Sequence, residues 1–525
     1  MGFHRFFGAG RFVLARRGAL RVLATLIVWT LGATQGARAD EAMEIRIRDL
    51  AIRLDAYVTK GMKDFDSPGA AIGIVTSDRL YFLKGYGVRR KGGEPVDTKT
   101  VFQIGSTTKA FLATTMAIAA DRGNLDWDAR VADLDPDFQM KDPWVTSAFR
   151  VSDLLAQRSG MPPSANDVMG ILGVDQAGMV RAMRFVEPVS SFRSTFAYTN
   201  VTHMLAQRIV ARQFSAPDWD SVVRKEIFGP LGMQNSSFTA EAIQAAPNHT
   251  EGYRWTPQGS VEVPFTPIFP YGFGAAGAIN STIEDLGPWV RLHLANGKFE
   301  GKEIVSAKNL GVTKTPRTGM SDRLAYAMGW VIQSTPNGRL VWHNGGTTAY
   351  GAFIGMAPDK DVGVIVLTNE TNVGLPDAIG EWTLDRLLGN PEVDHVAERL
   401  KAAKAAFAQD EKAGAAPATR QAATVLPPLV GDYVNDSFGQ VTVSEAEAGL
   451  LVELKETGAK LKLDDLGGQA FSVTLVPEGR FAAIAENLGP TSIGVAQFEV
   501  GLDGGISGFR FASADNGQPY PFKRR

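Results

Sequence analysis

Strand-like sequence occurs near both ends of a long stretch of this chain and is scarce between them. Residues 70 to 90, AAIGIVTSDRLYFLKGYGVRR, read as two strands around a Ser77-Asp78 turn, with Val, Ile, Tyr and Phe supplying a pleated face. The pattern returns near 340 in RLVWHNG (339 to 345), GAFIGMAP (351 to 358) and DVGVIVLTN (361 to 369), whose short turns suit antiparallel neighbours. A helix from about Asp377 to Leu388 follows. Early and late strands around a helical insert imply one antiparallel sheet built from both ends, with helices on its faces and a cleft beside the insert. Within the insert, VSDLLAQRSGMP (151 to 162) reads as a helix that Ser152 can cap.

From about Ala397 an Ala- and Lys-rich helix fades into a Pro-containing connector. Beyond it, alternation in KLKL (460 to 463), FSVTL (471 to 475), VAQFEV (495 to 500) and ISGFRF (506 to 511), with a turn at Asp503-Gly504-Gly505, predicts a small all-β barrel domain. The expected organisation is a signal peptide over 1–39, a main sheet-and-helix domain over 40–395, a helical and Ala-Pro linker over 396–425 and a barrel over 426–525.

The signal reading rests on Arg5, Arg11, Arg16, Arg17 and Arg21, an apolar run from Val22 to Ala33, and the small residues Ala37-Arg38-Ala39 before Asp40. That run is shorter than the roughly 20 residues a membrane-spanning helix needs, so no stable span is expected after cleavage, and the mature protein is expected to be periplasmic or secreted. With 44% hydrophobic and 9% aromatic residues, 525 residues can fill two or three globular cores. A formal charge of −2 disfavours nucleic acid as a partner and suits a small-molecule or peptide substrate. There is no cysteine, which removes disulfides and thiol nucleophiles, and the six histidines never fall three or four apart on one helix, so no metal site and no cofactor are expected.

Chemistry is concentrated in VFQIGSTTKAFLATTMA (101 to 117), where Ser106 and Lys109 stand three apart at the mouth of an otherwise apolar helix expected over 106–122. Residues at that spacing share a face. Burial and the positive helix end disfavour the ammonium form, so Lys109 can act as a base toward the Ser106 hydroxyl. Ser106 is the only serine with lysine three positions on, and AFLATTMAIAA has no polar face for a surface helix. GFGAAG (272 to 277) matches a dinucleotide fingerprint, but it follows PFTPIFPY, whose three prolines cannot form a central strand. It reads instead as leading into a helix capped by Ser281 with Glu284 as box partner.

The stretches PGAAIGIV, FQIGSTTKAF, FAYTN and WHNGGTTAYGAFIGMAPDKDVGVIVLTN together resemble, in order and spacing, the class C-like branch of the β-lactamase and penicillin-binding protein superfamily, which includes D-alanyl-D-alanine carboxypeptidases, D-aminopeptidases and esterases. The segment from Leu426 is similar to a lipocalin-like domain found after some of these hydrolases. The resemblance implies Ser106 as the acyl-accepting nucleophile, Lys109 as its proton partner, and Tyr198 and Asn200 as the second element, with the phenol shuttling a proton and the amide holding substrate. His343-Asn344-Gly345 stand in place of the family's Lys-Thr-Gly, which implies His343 as a further catalytic residue and Asn344 and Gly345 as substrate- or oxyanion-binding residues, with the oxyanion hole expected between the Ser106 N–H and that of Gly346. Histidine at 343 weakens a fixed cation for a substrate carboxylate, which makes efficient β-lactamase action doubtful.

The resulting expectation is an exported serine hydrolase acting on amides, esters or lactams, foremost D-amino-acid peptides and including peptidoglycan-derived ones. Alternatives are a short-chain esterase or weak β-lactamase of the same fold, and a non-turnover sensor of penicillin-binding type. The barrel is expected either to cover the cleft or to join subunits into an oligomer.

Overall fold

A computed structural model describes residues 43–414, 427–447, 449–489 and 491–525. The signal-peptide reading and the Ala-Pro part of the linker therefore lie outside the described residues. Two compact units are defined, Met1–Leu54 and Asp55–Arg525. In the first, residues 43–54 are helical. The second carries every candidate residue.

The second unit contains an eight-stranded antiparallel sheet made of β1 (Gly69–Val75), β2 (Leu80–Gly87), β3 (Thr318–Gly319), β4 (Leu324–Tyr326), β5 (Val331–Thr335), β6 (Gly338–Gly346), β7 (Gly351–Ala357) and β8 (Val362–Thr368). Its order is β2-β1-β8-β7-β6-β5-β4-β3, so β1 pairs with β8 along Ala70↔Thr368 to Val75↔Gly363. The two remote stretches do build one sheet. Strands β1, β7 and β8 are buried at every residue, which explains why GAAIGIV, GAFIGMA and VGVIVLT are apolar without alternation: helices cover both faces.

Four helices set the frame: α1 (Thr108–Asp121), α2 (Val201–Gln213), α3 (Ile283–Leu294) and α4 (Leu375–Leu388). A Cβ on Gly363 of β8 would run into Val290 of α3, and one on Gly380 of α4 would run into Phe353 of β7, so the two helices sit against opposite faces of the sheet. Helix α1 is buried from Thr108 to Ala119, and Phe111 stacks on Trp289 at 3.7 Å. An all-round apolar sequence is what such a central helix requires.

The expected helix over 106–122 begins later as an α-helix. Gly105–Thr107 form a 3-10 turn that leads into α1. Ser152 lies inside the helix Val151–Leu155 and caps nothing, since the N-cap is Arg150. Likewise Ser281 is not the cap of α3: Thr282 is, accepting from the Asp285 N–H at 3.0 Å, because Ser281 is already engaged in a two-residue strand pair with Phe102.

Helix α5 (His395–Gly414) precedes the C-terminal domain, a closed barrel of β9 (Gly431–Asn435), β10 (Gly439–Ala446), β11 (Gly449–Leu454), β12 (Lys460–Gly467), β13 (Ala470–Leu475), β14 (Gly494–Val500), β15 (Ile506–Ser513) and β16 (Pro519–Arg524). Pairing of Tyr433 with Arg524 closes it. Buried and open residues alternate along β14, and along β15 from Phe509 onward, as the sequence predicts. Helix α6 (Ala482–Leu488) bridges β13 and β14.

Candidate active site

The positions of Ser106 and Lys109 follow from the turn that precedes α1. A 3-10 turn has three residues per turn, so side chains at i and i+3 eclipse. Lys109 Nζ accordingly lies 3.1 Å from Ser106 Oγ. Lys109 is completely buried, and its other polar partners are Asn200 Oδ1 at 2.8 Å and the Ala276 carbonyl at 2.7 Å. Burial pulls the lysine down to about 7, against a smaller opposing pull from the Asp167 charge. The three acceptors match an ammonium's three donors. They also fit the neutral amine, which keeps two N–H bonds to Asn200 and Ala276 and turns its lone pair toward the Ser106 hydroxyl.

Asn200 is the N-cap residue of α2, a place where asparagine ordinarily bonds the helix's own N–H groups. Here its side chain makes no capping bond. The amide oxygen takes Lys109 and the amide nitrogen donates to Asp167 Oδ2 at 2.7 Å. Gln157 fixes the backbone between Tyr198 and Asn200, accepting from the Thr199 N–H at 2.7 Å and donating to the Thr199 carbonyl at 3.1 Å.

Tyr198 places its ring 4.8 Å from Lys109 Nζ and 6.1 Å from the His343 ring. Among the described residues its hydroxyl has no partner at hydrogen-bonding distance, although Ser106 lies near enough to ease its ionisation. Burial raises the phenol above its ordinary value, so it is protonated at neutral pH, and Lys109 is the member of the pair available there as a free base. His343 is held by Tyr326 Oη, 3.0 Å from its Nε2, and burial lowers it to about 3, so the imidazole is uncharged.

Strand parity sorts the residues that follow. His343 pairs with Ile354 and Asn344 with Phe353, which puts their side chains on opposite faces. Asn344 donates to Asp377 on α4 at 2.7 Å, on the side of the sheet away from Ser106. The structure thus does not bring the Asn344 side chain to the substrate or the oxyanion, contrary to expectation. Gly345 and Gly346 do come to the nucleophile. A Cβ on Gly345 would collide with the Ile104 carbonyl oxygen and stand 3.1 Å from the Ser106 nitrogen. Gly105, at φ +49°, leaves its side-chain space to the Gly346 backbone, whose nitrogen would be 2.8 Å from a Cβ there. The N–H groups of Ser106 and Gly346 are therefore neighbours across a strand-to-turn contact that only glycines permit.

Two participants carry no sequence signature. The Ala276 carbonyl belongs to GFGAAG, which forms a 3-10 segment (Tyr271–Ala276) bordering the site. Asp167 is a single acid that opens the short helix Asp167–Ile171, brought to Asn200 by the fold alone. Among the described residues no group of three or more His, Asp or Glu side chains is placed to hold a metal ion.

A hydroxyl, a buried amine, a phenol and two backbone N–H groups gathered at a sheet edge fit one class, a serine hydrolase. The chain belongs to the Beta-lactamase family, whose description matches residues 54–389. It is 28% identical over 321 residues to an unguisins hydrolase of Aspergillus campestris, covering 58% of this chain and 59% of that protein. Over 311 residues it is 26% identical to penicillin-binding protein 4 of Amycolatopsis lactamdurans, covering 58% and 81%. The chain thus spans only about three fifths of the length of the unguisins hydrolases it matches. The octameric penicillin-binding protein homologue from Pyrococcus abyssi has the same fold, with a TM-score of 0.58 at 21% identity over 90% of this chain and 99% of that one.

Proposed function

We propose that the protein is an exported hydrolase that forms an acyl-enzyme on Ser106 with amide, ester or lactam substrates, D-amino-acid peptides being the foremost class. The observation that carries this reading is the contact of Lys109 Nζ with Ser106 Oγ at 3.1 Å, made by a lysine whose burial brings it to about 7. A neutral amine at that distance accepts the hydroxyl proton as Oγ attacks the carbonyl carbon. The resulting oxyanion lies between the N–H groups of Ser106 and Gly346, and collapse expels the leaving group, which takes the proton from Lys109 directly or through Tyr198. Water then repeats the sequence on the acyl-enzyme.

The relatives support an acylatable serine: one is named for hydrolysis of unguisins and another for binding penicillin. A second reading, a short-chain esterase, is favoured by the uncharged His343, which offers no fixed cation to the carboxylate of a peptide C-terminus or a β-lactam. Export rests on the arginines and apolar run before Asp40, and a mature protein whose N-terminus is not close to Asp40 would refute it.

Ser106→Ala is expected to abolish covalent labelling by a fluorophosphonate or a fluorescent penicillin, and retained labelling would reject the nucleophile. A hydrolysis screen over D-aminoacyl amides, short acyl esters and cephalosporins separates the substrate classes. Intact mass after brief exposure separates an enzyme, which returns to its free mass, from a sensor, which keeps the adduct.

A further inference from the structure

The C-terminal barrel has no room for a ligand of its own. Tyr433, Phe471, Phe498, Phe509 and Phe522 fill it, and the remaining internal space is about 10 Å³, no more than one water would occupy. One of the side chains lining that space is Leu172, which comes from the hydrolase domain and is 1% exposed. The barrel is therefore seated on the segment around residues 163–173.

Polar bonds fix the seat. Gln518, just before β16, donates to Asn166 Oδ1 at 2.9 Å and accepts from the Asn166 N–H at 3.2 Å, both residues being buried. Asn516 donates to the Pro163 carbonyl at 2.7 Å. On the far side, Asn487 of α6 donates to Thr348, two residues beyond Gly346, at 3.3 Å. Asn166 itself sits at φ +66°, a left-handed conformation that asparagine tolerates, and its amide nitrogen is tied to the Met179 carbonyl at 2.9 Å.

The next residue is Asp167, whose Oδ2 takes the Asn200 amide nitrogen. Because Oδ2 accepts here, this bond decides which end of the Asn200 amide faces Lys109. The oxygen end does, and it takes one Lys109 hydrogen, leaving the lone pair for Ser106. The geometry points to a positioning role for the barrel: docked on Asn166, it holds Asp167 where that carboxylate orients Asn200, and through it Lys109, for attack by Ser106. This deepens the proposed function and rests on it. Asp167 and Gln518 are positioning residues, acting through Asn200 and Asn166.

The charged and titratable surroundings are few. Lys109 faces Asp167, Tyr198, His203 and His343, with both histidines held neutral by burial. Asp167 faces Lys109 and, from the barrel, Asp515 and Tyr520. Among the described residues Asp167 is the one acid whose charge favours the Lys109 ammonium; burial raises its carboxyl to about 7, and where it is ionised, removing that charge lets Lys109 lose its proton more easily.

The test is the second-order rate of fluorophosphonate labelling of the full chain as a function of pH, for wild type, Asp167→Asn, Gln518→Ala and the double variant. Asp167→Asn is expected to lower the plateau about tenfold or more and to move the acidic limb to lower pH, a shift that a purely structural residue would not produce. Gln518→Ala is expected to lower the plateau about fivefold, yet to add nothing in the Asp167→Asn background, since it acts through that residue. A wild-type rate and limb in Asp167→Asn, a wild-type rate in Gln518→Ala, or a full additional loss in the double variant would each overturn the proposal. Should Asp167→Asn fail to fold, Asn166→Gly carries the test: it keeps the left-handed backbone but drops the side-chain bonds, and a wild-type rate there is equally fatal. Failure of the wild type itself to label strikes the Ser106 reading instead, so the two are told apart.

Discussion

Lys109 Nζ and Asn200 Oδ1, 91 positions apart in the chain, lie 2.8 Å from one another, and the asparagine that makes the contact forgoes the helix cap its position offers. A cap is worth about 1 kcal/mol. Giving it up to hold a buried amine is the kind of local loss expected where a side chain serves chemistry rather than the fold.

The pH dependence of acylation follows from the same lysine. Burial lowers Lys109 to about 7, and only the neutral form accepts a proton. The rate of Ser106 labelling is expected to rise with pH through about 7 and then level off. Lys109→Ala should reduce the plateau at least about a hundredfold, the scale of a lost general base. Lys109→Arg should do the same, because a guanidinium stays protonated. A pH-independent rate, or an active arginine variant, would show that another group takes the proton.

Stability near the site depends on Asp153, whose side chain is fully buried between Arg158 at 2.7 Å and Arg193 at 2.5 Å. Burial alone would raise its carboxyl, but the Arg193 bond, the Arg150 N–H and the two guanidinium charges outweigh it and leave the group below its usual 3.8. A depressed carboxyl contributes stability that is present above the unfolded value and disappears as pH falls through the folded one. Asp153→Asn is therefore expected to cost roughly 3 kcal/mol in urea unfolding at neutral pH, with the difference from wild type shrinking in strongly acidic solution. Because this helix runs into Gln157, which fixes Thr199, the variant should also slow labelling. An equal urea midpoint at neutral pH would remove the ion pairs from the account.

The sheet, the insert and the barrel were legible because each rests on periodicity and turn residues that occur within about ten positions of one another. Ser106 and Lys109 were legible for the same reason, their geometry being set inside one turn. The direction of Asn344 was open to the parity argument as well, since alternate strand residues must face opposite sides. By contrast, the Ala276 carbonyl is a backbone group that any residue could present, and Asp167, 33 positions before Asn200, reaches it only once the chain between them has folded. The cap of α3 fell one residue later than expected because Ser281 is claimed by a pairing with Phe102, a tertiary contact that local sequence does not carry.

The close approach of β6 to the nucleophile's turn gives the last prediction. A methyl group at 345 would have to displace the Ile104 carbonyl or the Ser106 nitrogen, both of them backbone atoms that cannot rotate away. Gly345→Ala should therefore part the strand from the turn, costing roughly 1–3 kcal/mol of stability and moving the Ser106 N–H off the position an oxyanion would occupy. Loss of one such donor slows acyl transfer about a hundredfold or more. At the neighbouring Gly346, a Cβ would meet only Asn372 at an ordinary 3.5 Å, so Gly346→Ala should melt as the wild type does. Thermal unfolding of the two variants and labelling of Gly345→Ala check the pair. A Gly345→Ala protein that is as stable and as fast to label as wild type would mean that the two backbones are not in contact when the serine reacts.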